Sequence, residues 1–293
     1  MLRHFAEYVM RGRRQAIIIA LLFTFIPLMG WVSDAIVALV TLRKGPKEGA
    51  IVLIWVILPS IVVALLGYPE LWIYDIIGGS VAVYGLALVL RRTGSWAFVL
   101  QISMLLGVAA VAVVHMFDPD IFEQSVKEIT SVYNDYKTYF HLDVEPEVVD
   151  QTALLFAKFA VGTQVALMLI VDWFNIFIAR WEQSALYNPQ GLSSELQNLR
   201  LGLIPIVLLV LVLIAALSGV AVAVDAMPIV VLPFIMAGLS LVHDLVTVRK
   251  LSKRWLLVFY SLLILFFIYM AGLLVIAVVA DHWLNFRRKL QTQ

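Results

Sequence analysis

The chain has 293 residues, of which 62% are hydrophobic and 14% charged, with a formal net charge of +1. A soluble domain carries roughly a quarter charged residues, and apolar surface on this scale aggregates in water unless something covers it, for which lipid is the simplest cover. No basic patch of the kind that tracks phosphates is present, which argues against a nucleic-acid partner, and the absence of Cys excludes disulfides, thiolate metal sites and a Cys nucleophile.

A bilayer core of roughly 30 Å takes about 20 apolar helical residues at ~1.5 Å each. The first apolar run, 15–42, follows Arg11, Arg13 and Arg14 as a signal peptide would. It has no small-x-small cleavage site and the apolar pattern continues beyond it, so it is expected to be retained. It is too long for one crossing and too short for two comfortable ones, and Pro27 and Gly30 sit at its middle, where a helix kinks or breaks. Basic residues at both of its ends want the same side, so it is expected to form a broken helical hairpin, either re-entrant or made of two short crossings.

The next apolar runs are 49–67, 71–90, 95–115, 152–179, 201–224, 226–248 and 255–281. They predict an all-α fold, a polytopic transmembrane helical bundle of about 8–9 membrane segments forming a single domain over 1–293. Threading them places fifteen of the 21 Lys and Arg on one side, including Arg91, Arg92 and the stretches 180–200 and 249–254. Cytoplasmic loops are enriched in these residues, which puts the N-terminus on the cytoplasmic side. Arg287, Arg288 and Lys289 fall against this rule, so the side of the C-terminus stays open.

Residues 118–151 hold nine acids and two bases and fall outside the cell. Asp118-Pro119 is a good helix start, and Phe122, Val126, Ile129, Tyr133, Tyr136 and Phe140 repeat at helical spacing as one apolar stripe. Two readings fit this extracytoplasmic amphipathic insertion: a lid over an outward-facing cavity, or a helix resting on the headgroups. Asp143 to Pro146 ends the stripe and starts the next long helix. On the opposite side, 180–200 is expected to be a cytoplasmic loop, with a turn at Asn188-Pro189-Gln190-Gly191, a capping box at Ser194 and Gln197, and Trp181 and Tyr187 at headgroup level.

Ionisable residues inside an apolar run are costly, so they face the interior, pair, or carry function. They are Asp34, Asp75, Lys158, Asp172 and the pair His243-Asp244. Lys158 and Asp172 would share one face of a continuous helix about 21 Å apart, too far to pair but able to line one cavity, with Asn175 adding an amide. Equally, Lys158 snorkels outward and Asp172 meets an Arg near the inner interface. His243-Asp244 either couples protons or neutralises the basic cluster after it. Gly78, Ala82 and Gly85 recur on one helix face as a small-residue packing pattern. No Gly-rich phosphate loop, HExxH or nucleophile-base spacing occurs, and the five His are scattered, so no catalytic set, metal site or cofactor is expected.

Pro27-x-x-Gly30, Asp34 and Leu42-x-x-Gly45-Pro46-x-x-Gly49 resemble the opening of the S components of energy-coupling factor (ECF) vitamin transporters. Ala16-x-x-x-Ala20 resembles the small-residue motif by which S components dock on a transmembrane coupling subunit. Over most of its length the chain is similar to the YybS-like family of uncharacterised bacterial membrane proteins, related to that group, through Trp173-Phe174-Asn175 and Leu186-Tyr187-Asn188-Pro189-x-Gly191. S components have about six spans, and this chain has two or three more plus the external segment.

The resemblance implies a transport-type protein that binds a small solute among its helices, with an energising membrane partner docked at Ala16 and Ala20. Asp34, Lys158, Asp172 and Asn175 are the candidate cavity residues. The alternative is a non-transporting scaffold or assembly subunit acting through a protein partner at the 180–200 segment, with Trp181 and Tyr187 as docking residues; an intramembrane enzyme ranks below both.

Overall fold

The described residues are helical, with no strand among them. The computed structural model describes residues 2–26, 28–66, 76–141, 144–187, 191–197, 199–252 and 254–284, so Pro27, Asp75, residues 188–190 of the expected turn and the basic tail lie outside them. In chain order the α-helices are α1 (Leu2–Met10), α2 (Arg13–Thr24), α3 (Gly30–Lys44), α4 (Pro46–Leu65), α5 (Ala82–Thr93), α6 (Trp96–Phe117) and α7 (Ile121–Phe140). They continue as α8 (Pro146–Ala157), α9 (Ala160–Tyr187), α10 (Gly191–Gln197), α11 (Leu203–Leu217), α12 (Ala221–Val248), α13 (Arg254–Leu265) and α14 (Phe267–Leu284). The chain forms two compact units, Met1–Ser103 with Leu167–Arg200, and Met104–Ala166 with Leu201–Gln293.

In the first unit, the apolar run 15–42 breaks at residues 25–29 into α2 and α3, with Leu28 at a φ of 64°. Hydroxyls tie the two helices together: Ser33 Oγ donates to the Ala20 carbonyl at 2.7 Å, and Thr24 Oγ1 donates to Ser33 Oγ at 3.2 Å. Such groups need protein partners in an apolar surround. Ala16 and Ala20 are buried in a core with Val9, Ile36, Val37, Val40, Val52 and Val56. The face expected to dock a partner is therefore covered within the chain, where its small side chains let α2 approach α3 and α4. Every residue of α3 from Ser33 to Leu42 is buried, because α2, α4 and α5 pack around it. A π turn, Ile76–Val81, leads into α5; of the small-residue pattern Gly78, Ala82 and Gly85, the last two lie on α5 itself.

In the second unit α12 is the central helix, with α11 and α14 packed on it. The boundary between α11 and α12 is a glycine ending: Val220 N–H bonds the Ala215 carbonyl and Gly219 N–H bonds that of Ala216, each at 3.0 Å, with Gly219 at a φ of 83°. The expected boundary at residue 225 is thus corrected to 218–220, which puts Asp225 inside a helix. Farther along α12, Gly238 lies against α14, where a Cβ would come within 2.8 Å of Leu274 Cβ.

Two long runs are also corrected. The run 152–179 is interrupted at Lys158 and Phe159, between α8, which starts with Pro146 at its first position, and α9. The run 255–281 is interrupted at Phe266, between α13 and α14. Among the described residues four helices, α6, α9, α12 and α14, are long and apolar enough to cross a membrane, and α11 and α13 are shorter apolar helices. Large apolar side chains face outward along the last two helices, with Ile264 at 80% and Ile268 at 82% exposure.

The contact at Gly238 makes a stability test. Gly238→Leu is expected to lower stability by about 2–3 kcal/mol through overpacking against α14. Combining it with Leu274→Ala should recover part of the loss, so that the double variant unfolds above the temperature expected from adding the two single effects. Thermal unfolding of the full chain in detergent reads both.

Candidate functional site

The second unit holds a cavity of about 420 Å³, and its polar wall is built around one carboxylate. Asp225, in the second turn of α12, is 3% exposed. Its Oδ2 accepts a hydrogen bond from His115 Nε2 at 2.8 Å, near the end of α6, and its Oδ1 accepts one from the Gly162 backbone N–H at 2.7 Å. Gly162 is the third residue of α9, one of the first-turn N–H groups that no intrahelical carbonyl can satisfy. The carboxylate of one helix therefore caps another and meets the positive end of its dipole. Gly162 is required for this approach, because a Cβ there would run into the Asp225 backbone carbonyl.

Around this pair the cavity is walled by Pro119, Ile121, Phe122 and Ser125 from the start of α7, by Lys158 at the break after α8, and by Gly219, Ala221 and Val224 from the α11–α12 junction. Pro228 has no N–H to donate to the Val224 carbonyl four residues back, which leaves an acceptor on a cavity-lining residue. The cavity thus combines an apolar wall with one ammonium group, one hydroxyl and an internally satisfied His-Asp pair.

The helix α7 begins at Ile121, not at Asp118-Pro119; Asp118 instead accepts from Gln124 Nε2 at 3.1 Å. Its inner face carries Ser125, Val126, Ile129 and Tyr133, while Phe122, Tyr136 and Phe140 of the expected stripe are exposed. It packs on α8, and Lys137 Nζ ties its end to the Val144 carbonyl at 2.5 Å.

The remaining expected cavity residues lie in the first unit. Asp172 and Asn175 are one turn apart on α9, 1% and 0% exposed, and none of their side-chain oxygen or nitrogen atoms has a hydrogen-bond partner. The charge on Asp34 acts on Asp172, and Asp34 itself accepts from Ser80 Oγ at 2.5 Å. The expectation that Lys158 and Asp172 face one cavity from one helix is corrected: the helix is interrupted at Lys158, which lines the cavity of the second unit.

At the basic end of the first unit, Arg43 lies over the Tyr187 ring with 3.9 Å to its centroid, Arg91 donates to the Leu42 carbonyl at the end of α3, and Arg180 pairs with Glu195. These three arginines line a second cavity of about 340 Å³, where Arg91 and Arg180 donate within the protein and Arg43 is stacked on Tyr187. The stretch 180–187 is the end of α9 and not a loop, and α10 starts at Gly191, ahead of the expected capping box. Trp181 is 42% and Tyr187 46% exposed on that helix end. His243 Nε2 is 2.8 Å from the Tyr260 hydroxyl. Among the described residues no group of three or more His, Asp or Glu is placed to hold a metal ion.

Sequence reading missed Asp225 and His115. Asp225 falls in the gap between the apolar runs 201–224 and 226–248, and His115 at the end of a span; the signal that could have joined them is Ser218-Gly219, which marks the true helix end. No family model, curated protein or solved structure matches the chain.

The cap on α9 is open to test. Asp225→Leu is expected to cost about 1–3 kcal/mol by stranding the Gly162 N–H and the His115 ring, whereas Asp225→Asn, whose amide oxygen still accepts, should cost less. Detergent unfolding temperatures check the order of the two variants.

Proposed function

We propose that the chain is a polytopic protein of the bacterial cytoplasmic membrane that binds a small solute in the cavity beneath α7. The observation that carries this reading is the cavity itself. Its volume of about 420 Å³ lies within the ~300–1,000 Å³ typical of small-molecule sites, and such sites join apolar walls to a few placed polar groups, as this one does. The positive-inside pattern favours a cytoplasmic N-terminus. Taking the hairpin α2–α3 as one or two segments, with α4, the run into α5, α6, α9, α11, α12 and the α13–α14 run as one each, supports a count of 8–9 membrane segments. This architecture and the transport role follow the likeness to ECF S components and to the YybS-like family.

The lining suggests the solute's chemistry. Lys158 is the charged group there that is not paired within the wall, so it favours a solute with one anionic group. Ile121 and Phe122 cover an apolar body, and α7 acts as a lid because its first turn forms part of the wall. The Asp225–His115 pair positions the wall; its carboxylate is satisfied on both oxygens and repels a second anion.

A panel of vitamins, nucleosides and small carboxylic acids, read by the unfolding temperature of the purified chain, tests the reading. At least one acid is expected to stabilise the protein, and Lys158→Gln should weaken its binding roughly 10- to 100-fold, the worth of a charge-assisted hydrogen bond. A panel without a shift, or a shift that Lys158→Gln leaves intact, contradicts it.

A further inference from the structure

The first unit buries a second polar group of a different kind. Asp172 and Asn175 share one face of α9, three residues apart, and both are almost wholly buried. Neither carboxylate oxygen of Asp172 and neither amide atom of Asn175 has a hydrogen-bond partner. Polar groups left this way in an apolar interior are rare, because each forfeits its hydration without a replacement. By contrast, Trp173, between the two orphans in sequence, donates from Nε1 to Ser103 Oγ at 3.0 Å.

Asp34 comes to this face from α3. The rings of Trp31 and Phe174 meet with centroids 5.9 Å apart, which joins the start of α3 to this level of α9. Asp34 is one turn beyond Trp31, and its charge acts on Asp172. The Trp31–Phe174 contact sets the Asp34 turn of α3 beside the level of Asp172 on α9, and no Lys or Arg nitrogen bonds Asp172. The local backbone is also irregular: α3 starts just after the turn at Leu28, and Ser80, which donates to Asp34, belongs to the π turn 76–81. Broken helices and π turns within membrane proteins concentrate at ion sites, where backbone and side-chain oxygens face inward.

We propose that Asp34, Asp172 and Asn175 form a buried binding site for a sodium ion. Carboxylate and carboxamide oxygens are hard donors that suit such an ion. A cation between the carboxylates removes their repulsion and supplies the partners that Asp172 and the Asn175 oxygen lack. A monovalent ion suits the place better than magnesium, which gives up its water reluctantly and keeps several water molecules around it. The site lies in the first unit and shares no residue with the solute cavity, so the two readings stand or fall separately.

The full chain, purified in detergent, is tested by equilibrium dialysis against radioactive sodium and by thermal unfolding in sodium chloride and in choline chloride at equal ionic strength. The unmodified protein is expected to retain one sodium per chain saturably and to unfold roughly 5 °C higher in saturating sodium than in choline. Asp172→Asn and Asn175→Leu should each abolish the retention and the difference between salts, while Ile264→Ala, at an exposed position outside both sites, leaves both unchanged. Absence of saturable sodium retention by the unmodified chain overturns the proposal without reference to any variant. Stabilisation by acid alone, equal in the two salts, overturns it in favour of a protonated Asp172, and retention that survives Asp172→Asn overturns the assignment of the site.

Discussion

Every feature of this chain is governed by the shortage of water around its helices. A polar group in hydrocarbon has only protein, or something the protein binds, to replace its lost hydration. The chain meets this demand mostly from within itself. Ser33 is bonded to the Ala20 carbonyl, Thr41 to that of Val37, Ser103 accepts from Trp173, and Asp225 is held by both His115 and a backbone N–H. In each case the partner comes from an adjacent turn or from a helix packed alongside, so satisfying the group also fixes the packing.

The same constraint separates structural polar groups from those available for binding. Asp225 is charged and buried, yet saturated, and it serves as a cap that fixes the wall of a cavity. Lys158, at the break between α8 and α9, contributes an ammonium group to that cavity that is not taken up by Asp225. Asp172 and Asn175 lack partners altogether. Burial alone does not separate Asp225 from Asp172 and Asn175, which are all almost wholly buried; hydrogen-bond accounting does, leaving recognition to Lys158 and to the orphaned pair.

What was legible in the sequence follows from what local chemistry can encode. Pro27 and Gly30 mark the break of the first apolar run, and Pro146 marks the start of α8, because backbone stereochemistry acts within a turn or two. Hydropathy located the apolar runs but not their interruptions. Lys158 and Phe159 contain neither Gly nor Pro, and their break is supported by a cap from Asp225, 63 positions from Gly162. Asp225 was invisible for the opposite reason: a charge between two apolar runs looks like a boundary, and only the glycine ending at Gly219 shows that the boundary comes earlier. Ala16 and Ala20 were expected to dock a partner helix; a small-residue motif does not say which helix approaches it, and here α3 and α4 take that place.

The central claim is that hydrocarbon surrounds the outward apolar faces of these helices. The chain has no Cys, so nitroxide labels can be placed singly at Ile264→Cys or Ile268→Cys, both strongly exposed, and the protein reconstituted into vesicles. The account predicts that collisions with dissolved oxygen, which concentrates in the bilayer, far exceed collisions with a water-soluble nickel complex at both positions. Collision rates favouring the nickel complex at both would place these faces in water and contradict it.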